Sequence, residues 1–243
     1  MSERDEPAAI GPTLRATYRL QFHAGFTMAD AAAVVPYLHA LGVSHVYASP
    51  LLRARRGSTH GYDVVDPARP DPERGGEGDR RALAHALTAR GMGLLLDIVP
   101  NHMAASDQNP YWWDVLRHGR ASPTARWFDI DWHAPSEEVR GRILLPVLGS
   151  RLGEAMARGE LSLRRERAGL VVAYYESTFP LDPLTWPRVL GLGLDAARER
   201  ARAEGAVSGA DALDELATLL ERLRRLAARR AGDDAARQRR RHD

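Results

Sequence analysis

Three short apolar runs, separated by two amphipathic segments, fill the first hundred residues of this chain. The runs read TYRLQF (17–22), VSHVYAS (43–49) and GLLLDIV (93–99), and turn residues bound each of them, as is typical of strands. Apolar residues recur at helical spacing in the intervening segments, after Thr27 and after Asp79, and we expect these two side chains to cap the helices. The order β-α-β-α-β with right-handed crossovers predicts a parallel sheet, either an open doubly wound sheet or a barrel.

The pattern changes after about residue 104. PYWWDVLRH (110–118) is typical of a helix, and ELSLRRERAGLVVAYYES (160–177) alternates on both sides of a central glycine, as in a β-hairpin. Two further helices are predicted near the end of the chain. We therefore divide the chain into a flexible N-terminus (1–15), three β/α units (16–104), a mostly helical insertion that contains the hairpin (105–190) and a helical C-terminal stretch with an Arg-rich tail (191–243).

Composition narrows the classes of function. The chain has no cysteine, which excludes disulfides, thiolate metal sites and a thiol nucleophile. No apolar run reaches the roughly 18 residues of a membrane span, and the charged N-terminus does not resemble a signal peptide. The 34 basic residues are offset by 32 acidic ones, without a nucleic-acid-binding motif. We expect a cytoplasmic protein that binds neither nucleic acid nor membrane.

Polar side chains gather where the predicted strands end. Gln21 and His23 follow the first strand, the second is followed by a segment that ends in GYD (61–63), and the third runs into DIVPNH (97–102). Parallel α/β folds bind ligands at the C-terminal ends of their strands. An aromatic ring suits the apolar face of a sugar, and carboxylate, amide and imidazole groups suit its hydroxyls. The pattern predicts a sugar-binding pocket, with His23 at its mouth, formed by Tyr62, Asp63, Asp97, Asn101 and His102.

Each of these residues also has a purely structural interpretation. A Gly-Tyr-Asp triplet often forms only a turn, an aspartate at a strand end often caps the next loop, and His23 can be an ordinary loop histidine. No Gly-rich phosphate loop follows a strand, which argues against a nucleotide cofactor. No pair among the candidate histidines and carboxylates named above has helical ligand spacing, so we predict neither a metal site nor any other cofactor.

The two motifs, on consecutive predicted strands, resemble those of the α-amylase superfamily of glycoside hydrolases and transglycosylases. Blocks such as YASPLLRARRGSTHGYDVVDP, PYWWDVLRHG and YYESTFPL make the chain similar to the maltooligosyltrehalose synthase family from about Thr17 to Pro187. That resemblance implies a (β/α)8 TIM barrel with a long insertion after the third strand. It also implies an intramolecular transglucosylation, in which the reducing-end α-1,4 linkage of a maltooligosaccharide becomes α,α-1,1. An α-glucan hydrolase or 4-α-glucanotransferase of the same superfamily is the alternative.

The same resemblance implies roles for the pocket residues. Tyr62 would stack on the sugar that precedes the scissile bond, and His102 would hydrogen-bond its hydroxyls. Asp63, Asp97 and Asn101 would shape and orient the pocket. The calcium site of amylases is not expected in this branch of the superfamily.

The catalytic carboxylates of the family have no counterpart in the sequence. Its nucleophile is an Asp after the fourth strand and its acid/base is a Glu after the fifth, and residues 104–243 match neither motif. We expect an incomplete barrel of three strands, with both carboxylates encoded beyond residue 243, and we expect the chain alone to be inactive. A non-catalytic remnant is a second alternative, and the remainder of the barrel is a partner to consider.

Overall fold

The computed structural model describes residues 11–167 and 169–239, with the backbone alone from residue 231 onward. The chain divides after Pro110 into two compact units, and each is described by itself. Most of the N-terminal segment predicted to be flexible, and the end of the Arg-rich tail, lie outside the described residues. The finer boundaries at residues 104 and 190 stay a prediction.

The first unit contains the predicted β-α-β-α-β order, with one additional pair of strands. Its elements in chain order are β1 (Thr17–Leu20), α1 (Met28–Ala40), β2 (His45–Ala48), β3 (Leu52–Ala54), β4 (Val64–Pro70), α2 (Gly76–Thr88) and β5 (Gly93–Leu96). β1, β2 and β5 form a parallel sheet in the order β1-β2-β5. The three strands predicted from the apolar runs, and their parallel pairing, are therefore confirmed.

One face of this sheet is covered by the two helices. α1 and α2 pack against each other and against the sheet, because the side chains on one face of each strand meet the apolar stripe of each helix. The buried core consists of Phe22, Met28, Ala31, Val35, Leu38, Val43, Val46, Ala48, Leu51, Leu83, Leu87 and Met92. The opposite face carries the polar residues of the candidate site.

The two helices begin differently. At α1 the predicted cap is confirmed: the Asp30 carboxylate accepts from the Thr27 N–H at 2.8 Å, and the Thr27 hydroxyl accepts from the Asp30 N–H at 3.4 Å. The prediction for α2 was wrong. This helix already begins at Gly76, and Asp79 lies inside its first turn without capping it. A short 3-10 turn, Pro72–Arg74, leads directly into the helix, so the glycine-rich stretch after it is helical rather than a loop.

The additional strands form a short antiparallel ribbon. β3 pairs with β4 in an irregular register, and the backbone N–H of Arg55 donates to the Asp63 carbonyl at 3.0 Å beyond it. No sequence pattern indicated this ribbon, because β4 contains Pro67 and Pro70 and lacks regular alternation, a pattern tolerated only in edge strands. The ribbon closes the segment between its strands into a loop, which carries Tyr62 and Asp63.

The second unit begins with short helices and an antiparallel sheet. Its elements are α3 (Pro110–His118), α4 (Leu152–Ala157), β6 (Leu161–Glu166), β7 (Gly169–Tyr174), β8 (Ser177–Pro180), α5 (Trp186–Leu190), α6 (Leu194–Ala203) and α7 (Val207–Arg239). The predicted hairpin is present as β6 and β7, and β8 extends it to three strands. The prediction that residues 105–190 are mostly helical was wrong. The helices in this range, α3, α4 and α5, span only 9, 6 and 5 residues. Much of this stretch is irregular, in keeping with its prolines and glycines.

The C-terminal helices pair with each other. Asp214 of α7 binds Arg198 and Arg202 of α6, the latter at 3.1 Å, and Leu220 is the buried anchor of the apolar stripe. Leu226 of the same helix is half exposed. The backbone of α7 is helical to Arg239. None of the helices in the described part of the chain combines the length and apolarity that a membrane crossing demands.

Candidate functional site

The uncovered face of the parallel sheet presents a row of polar side chains at its C-terminal end. Arg19 of β1 lies opposite Tyr47 of β2 in the register, and Asp97 follows β5 directly. The Arg19 guanidinium carbon lies 5.3 Å from the centroid of the Tyr47 ring, within the range of a cation-π contact. The backbone N–H of Asp97 donates to the Ala48 carbonyl at 3.0 Å, which continues the sheet pairing by one residue. Three strands thus bring one cation, one phenol and one carboxylate together.

Asp97 is the centre of this cluster. Its Oδ2 atom accepts hydrogen bonds from the Tyr62 hydroxyl and, at 3.4 Å, from the Tyr47 hydroxyl. Arg19 Nη2 lies 3.6 Å from the same oxygen. The Asp97 side chain is 16% exposed, so these contacts replace most of its solvent. A carboxylate bound this way is a fixed anchor for the groups around it.

Tyr62 is held at both ends. Its hydroxyl donates to Asp97 and accepts from Arg19 Nη2 at 3.1 Å, and its backbone N–H donates to His60 Nδ1 at 3.0 Å. The His60 ring is nearly parallel to the Tyr62 ring, with centroids 6.0 Å apart. The hydrogen bond to Asp97, together with burial, raises the pKa of Tyr62, and the hydrogen bond from Arg19 opposes that rise. Tyr62 is therefore held in place at both ends, although the residue is still 37% exposed.

Asp63 faces its own loop. Its carboxylate accepts from the Ser58 hydroxyl and lies 3.8 Å from His60 Nδ1. The Ser58 hydroxyl oxygen also accepts from the backbone N–H of Gly61 at 3.0 Å. These contacts make Asp63 an organiser of the segment that carries Tyr62, in line with the shaping role expected of it.

Of the Asn101-His102 pair, His102 contacts the backbone of Tyr62. His102 Nε2 lies 3.1 Å from the Tyr62 carbonyl oxygen, and since a carbonyl can only accept, the proton must be on Nε2. That leaves Nδ1 of this exposed imidazole for a ligand. Asn101 is exposed and makes no hydrogen bond to the described residues. Tyr62, Asp97 and His102 are thus brought into direct contact.

His23 is separate from this cluster in its contacts. Its Nδ1 accepts from the backbone N–H of Gly25 at 3.0 Å, and its backbone pairs with Phe26 in a tight turn.

Sequence reasoning missed Arg19 and Tyr47, the two strand residues that touch Asp97 or Tyr62. Alternation could have found Arg19, because it lies two residues before Gln21 and therefore on the same face of the strand.

A buried ion pair supports the loop from beneath. Arg74 and Asp71 form a salt bridge with side chains 1% and 3% exposed. Arg74 Nε donates to the Phe22 carbonyl at 3.2 Å, and Nη2 donates to the Ser58 carbonyl at 3.1 Å. One guanidinium therefore joins the segment after β1 to the loop that contains Tyr62.

Among the described residues, no group of three or more metal-binding side chains is placed to hold an ion.

The sequence profile of the α-amylase catalytic domain matches residues 31–153, which is slightly more than half of the chain and includes the Tyr62–Asp97–His102 cluster. The chain belongs to the α-amylase family. The match covers both motifs on which the resemblance was based, and it confirms that part of the sequence analysis.

Within the α-amylase family, the chain is similar to proteins described as maltooligosyltrehalose synthases. A putative maltooligosyl trehalose synthase of Mycobacterium tuberculosis is 49% identical over 156 residues, covering 61% of this chain and 20% of that protein. The solved maltooligosyltrehalose synthase of Arthrobacter ramosus is 47% identical, with a TM-score of 0.61 over 69% of this chain and 21% of that one. A hypothetical maltooligosyl trehalose synthase of Sulfolobus tokodaii is 35% identical, with a TM-score of 0.60 over 70% and 22%.

These comparisons confirm the resemblance to maltooligosyltrehalose synthases and a partial TIM-barrel fold. The chain spans about a fifth of the length of the curated and solved relatives it matches. The incomplete barrel and the role of each pocket residue stay predictions.

Proposed function

We propose that the cluster of Tyr62, Asp97 and His102 is the part of a maltooligosaccharide site that binds the sugar preceding the scissile bond in a trehalose-forming glucosylmutase. The observation that carries this proposal is the state of Tyr62: Asp97 binds its hydroxyl and His102 binds its backbone carbonyl, yet the residue remains 37% exposed. A rigid aromatic surface of this kind suits the C–H face of a glucose ring. The similarity to maltooligosyltrehalose synthases supports the choice of sugar.

The proposed reaction moves the reducing-end glucose from an α-1,4 to an α,α-1,1 linkage within one molecule. A retaining mechanism uses a carboxylate nucleophile and a carboxylic acid about 5–5.5 Å apart. Asp63 and Asp97 are the carboxylates of the cluster, and each accepts hydrogen bonds from neighbouring hydroxyls, Asp63 from Ser58 and Asp97 from the two tyrosines. We assign them binding and orienting roles, and we assign the catalytic carboxylates to sequence outside these 243 residues. The cytoplasmic location inferred from the composition is part of the same proposal.

The first expected result concerns the chain by itself. Incubated with maltopentaose, the 243-residue chain should leave the number of reducing ends unchanged and release no glucose, because Asp63 and Asp97 serve binding. A reducing-end assay against a no-protein control measures this. Loss of reducing ends without glucose would contradict the assignment of the two aspartates, and newly formed reducing ends would favour an α-glucan hydrolase.

The second expected result is sugar binding that depends on Tyr62. Saturation-transfer NMR with maltopentaose should give saturable binding, and Tyr62→Ala should weaken it at least about tenfold, a loss of roughly 1.4 kcal/mol. The reason is the loss of the aromatic surface and of the contacts to Asp97 and His102. Tyr37→Ala is the matched control, since Tyr37 is 65% exposed on α1 and should not affect binding.

Two outcomes would refute the binding proposal. One is the absence of saturable binding up to tens of millimolar maltopentaose. This result would also argue against a non-catalytic remnant that binds maltooligosaccharides. The other is equal affinity of Tyr62→Ala and the unchanged chain.

A further inference from the structure

Arg19 connects β1 to the loop that carries Tyr62 in two ways. Its Nη2 donates to the Tyr62 hydroxyl at 3.1 Å, which is a direct contact. Its Nη1 donates to Gln21 Oε1 at 2.8 Å, and Gln21 Nε2 in turn donates to the carbonyls of Thr59 at 3.1 Å and His60 at 3.3 Å. The strand therefore holds both the tip of the Tyr62 side chain and the backbone just before it.

The geometry of these contacts requires a guanidinium. Two nitrogens of one planar group point to different partners, Nη1 to Gln21 and Nη2 to Tyr62, while the plane lies near the Tyr47 ring. A lysine ammonium carries the same charge as a single point and cannot reproduce the fork or the stacking. Arg19 also lies 3.6 Å from Asp97, so its charge offsets that of the carboxylate that binds the same hydroxyl.

We propose that Arg19 is a positioning residue of the sugar site: by donating to the Tyr62 hydroxyl next to Asp97, it sets the direction in which the Tyr62 ring is presented to the ligand. Without it, the hydroxyl would follow the carboxylate alone, and Gln21, which donates to the loop, would lose the donor that holds its own side chain. The contact geometry stands independently of the ligand, and only its consequence for sugar affinity rests on the proposed function.

The titration of Tyr62 reports this arrangement. The charged and titratable groups that face Tyr62 are Asp97 and Arg19 at its hydroxyl, His60 along its ring and His102 at its carbonyl. Asp97 raises the pKa of Tyr62 and Arg19 lowers it. Arg19→Ala should therefore shift the Tyr62 titration to higher pH, because the phenolate loses a cationic neighbour while the carboxylate stays. Arg19→Lys should restore part of the difference.

NMR of the chain with ring-carbon-labelled tyrosine tests the proposal directly. The sequence contains 7 tyrosines, and the signal missing in Tyr62→Phe identifies the one of interest. Arg55→Ala is the matched control, since it removes one positive charge from the same loop, and the described contacts give the Arg55 side chain no bond to Tyr62. Far-UV circular dichroism at each pH verifies folding, which we expect to persist because the Arg19 side chain is 38% exposed.

A maltopentaose-binding measurement distinguishes the positioning role of Arg19 from the proposed sugar-binding function. Arg19→Ala should bind maltopentaose about threefold to tenfold more weakly, the range expected for the loss of one ordinary hydrogen bond. An unshifted Tyr62 titration in Arg19→Ala, or the same shift in Arg55→Ala, would overturn the positioning role. So would unchanged affinity in Arg19→Ala while Tyr62→Ala loses binding. A shifted titration in a chain that binds no maltopentaose in any form would uphold the contact geometry and refute the proposed function.

Discussion

Arg74→Met should lower the free energy of unfolding of the first unit by about 3–5 kcal/mol, the usual cost of leaving one partner of a buried ion pair alone. Asp71 would keep its carboxylate at 3% exposure without the guanidinium that neutralises it. The carbonyls of Phe22 and Ser58 would lose their donors at the same time. Methionine fills much of the arginine stem, so the loss is electrostatic more than steric.

Urea-dependent hydrogen exchange measures this effect for the first unit separately. Peptides that contain β1, β2 and β5 report the opening of the parallel sheet. Arg81→Met is the matched control: Arg81 lies on α2, is 75% exposed and pairs with Glu77 at 2.8 Å, so its loss should cost less than about 1 kcal/mol. Equal effects of the two substitutions would show that the buried pair contributes no more than a surface pair.

A double variant distinguishes the ion pair from its surroundings. If Arg74→Met destabilises the first unit mainly because Asp71 is left charged and buried, then adding Asp71→Leu should recover part of the lost stability. The recovery should be incomplete, because Asp71 also accepts from the backbone N–H groups of Ala54 at 3.2 Å and Glu73 at 3.0 Å. No recovery at all would assign the cost to the two carbonyls, of Phe22 and Ser58, that lose Arg74 as their donor.

The sequence predicted those parts of the fold that depend on local periodicity. The apolar runs at β1, β2 and β5 each contribute to the core under the two helices, through Phe22, Val46 and the partly buried Leu94. The buried residues of each helix recur at helical spacing. The capping pair of Thr27 and Asp30 was predictable because the two residues are three positions apart and satisfy each other's backbone. Such features need no knowledge of distant contacts.

Features that depend on distant partners were not predictable. The β3–β4 ribbon pairs residues of low strand propensity, and Arg19 matters only because Tyr62 and Asp97, from other elements, reach its guanidinium. His23 illustrates the reverse error, since a position after β1 suggested the pocket while its imidazole stabilises its own turn. The motif residues Tyr62, Asp97 and His102 do meet, because parallel strands end at one edge of the sheet.

The second large effect is expected at Gly61, the residue before Tyr62. Its φ is +84°, and a Cβ there would lie 2.7 Å from the Pro50 carbonyl oxygen and 3.2 Å from Arg74 Nη2. Gly57 offers a matched comparison in the same loop: its φ is +75°, and nothing lies within 4 Å of a Cβ. Gly57→Ala should therefore cost only the left-handed backbone, about 1–2 kcal/mol.

Gly61→Ala should cost about 1–3 kcal/mol more than Gly57→Ala, because the crowded atom is a backbone oxygen that cannot turn away. The displacement would fall on Tyr62, the next residue, and separate its hydroxyl from Asp97. The same hydrogen-exchange measurement gives the stabilities, and the tyrosine NMR titration gives the state of the site: the Tyr62 pKa should fall toward its ordinary value in Gly61→Ala and stay raised in Gly57→Ala. Equal stabilities with an unchanged Tyr62 titration would mean that glycine is needed at both positions for backbone conformation alone, and that the close approach of Pro50 and Arg74 does not position the aromatic ring.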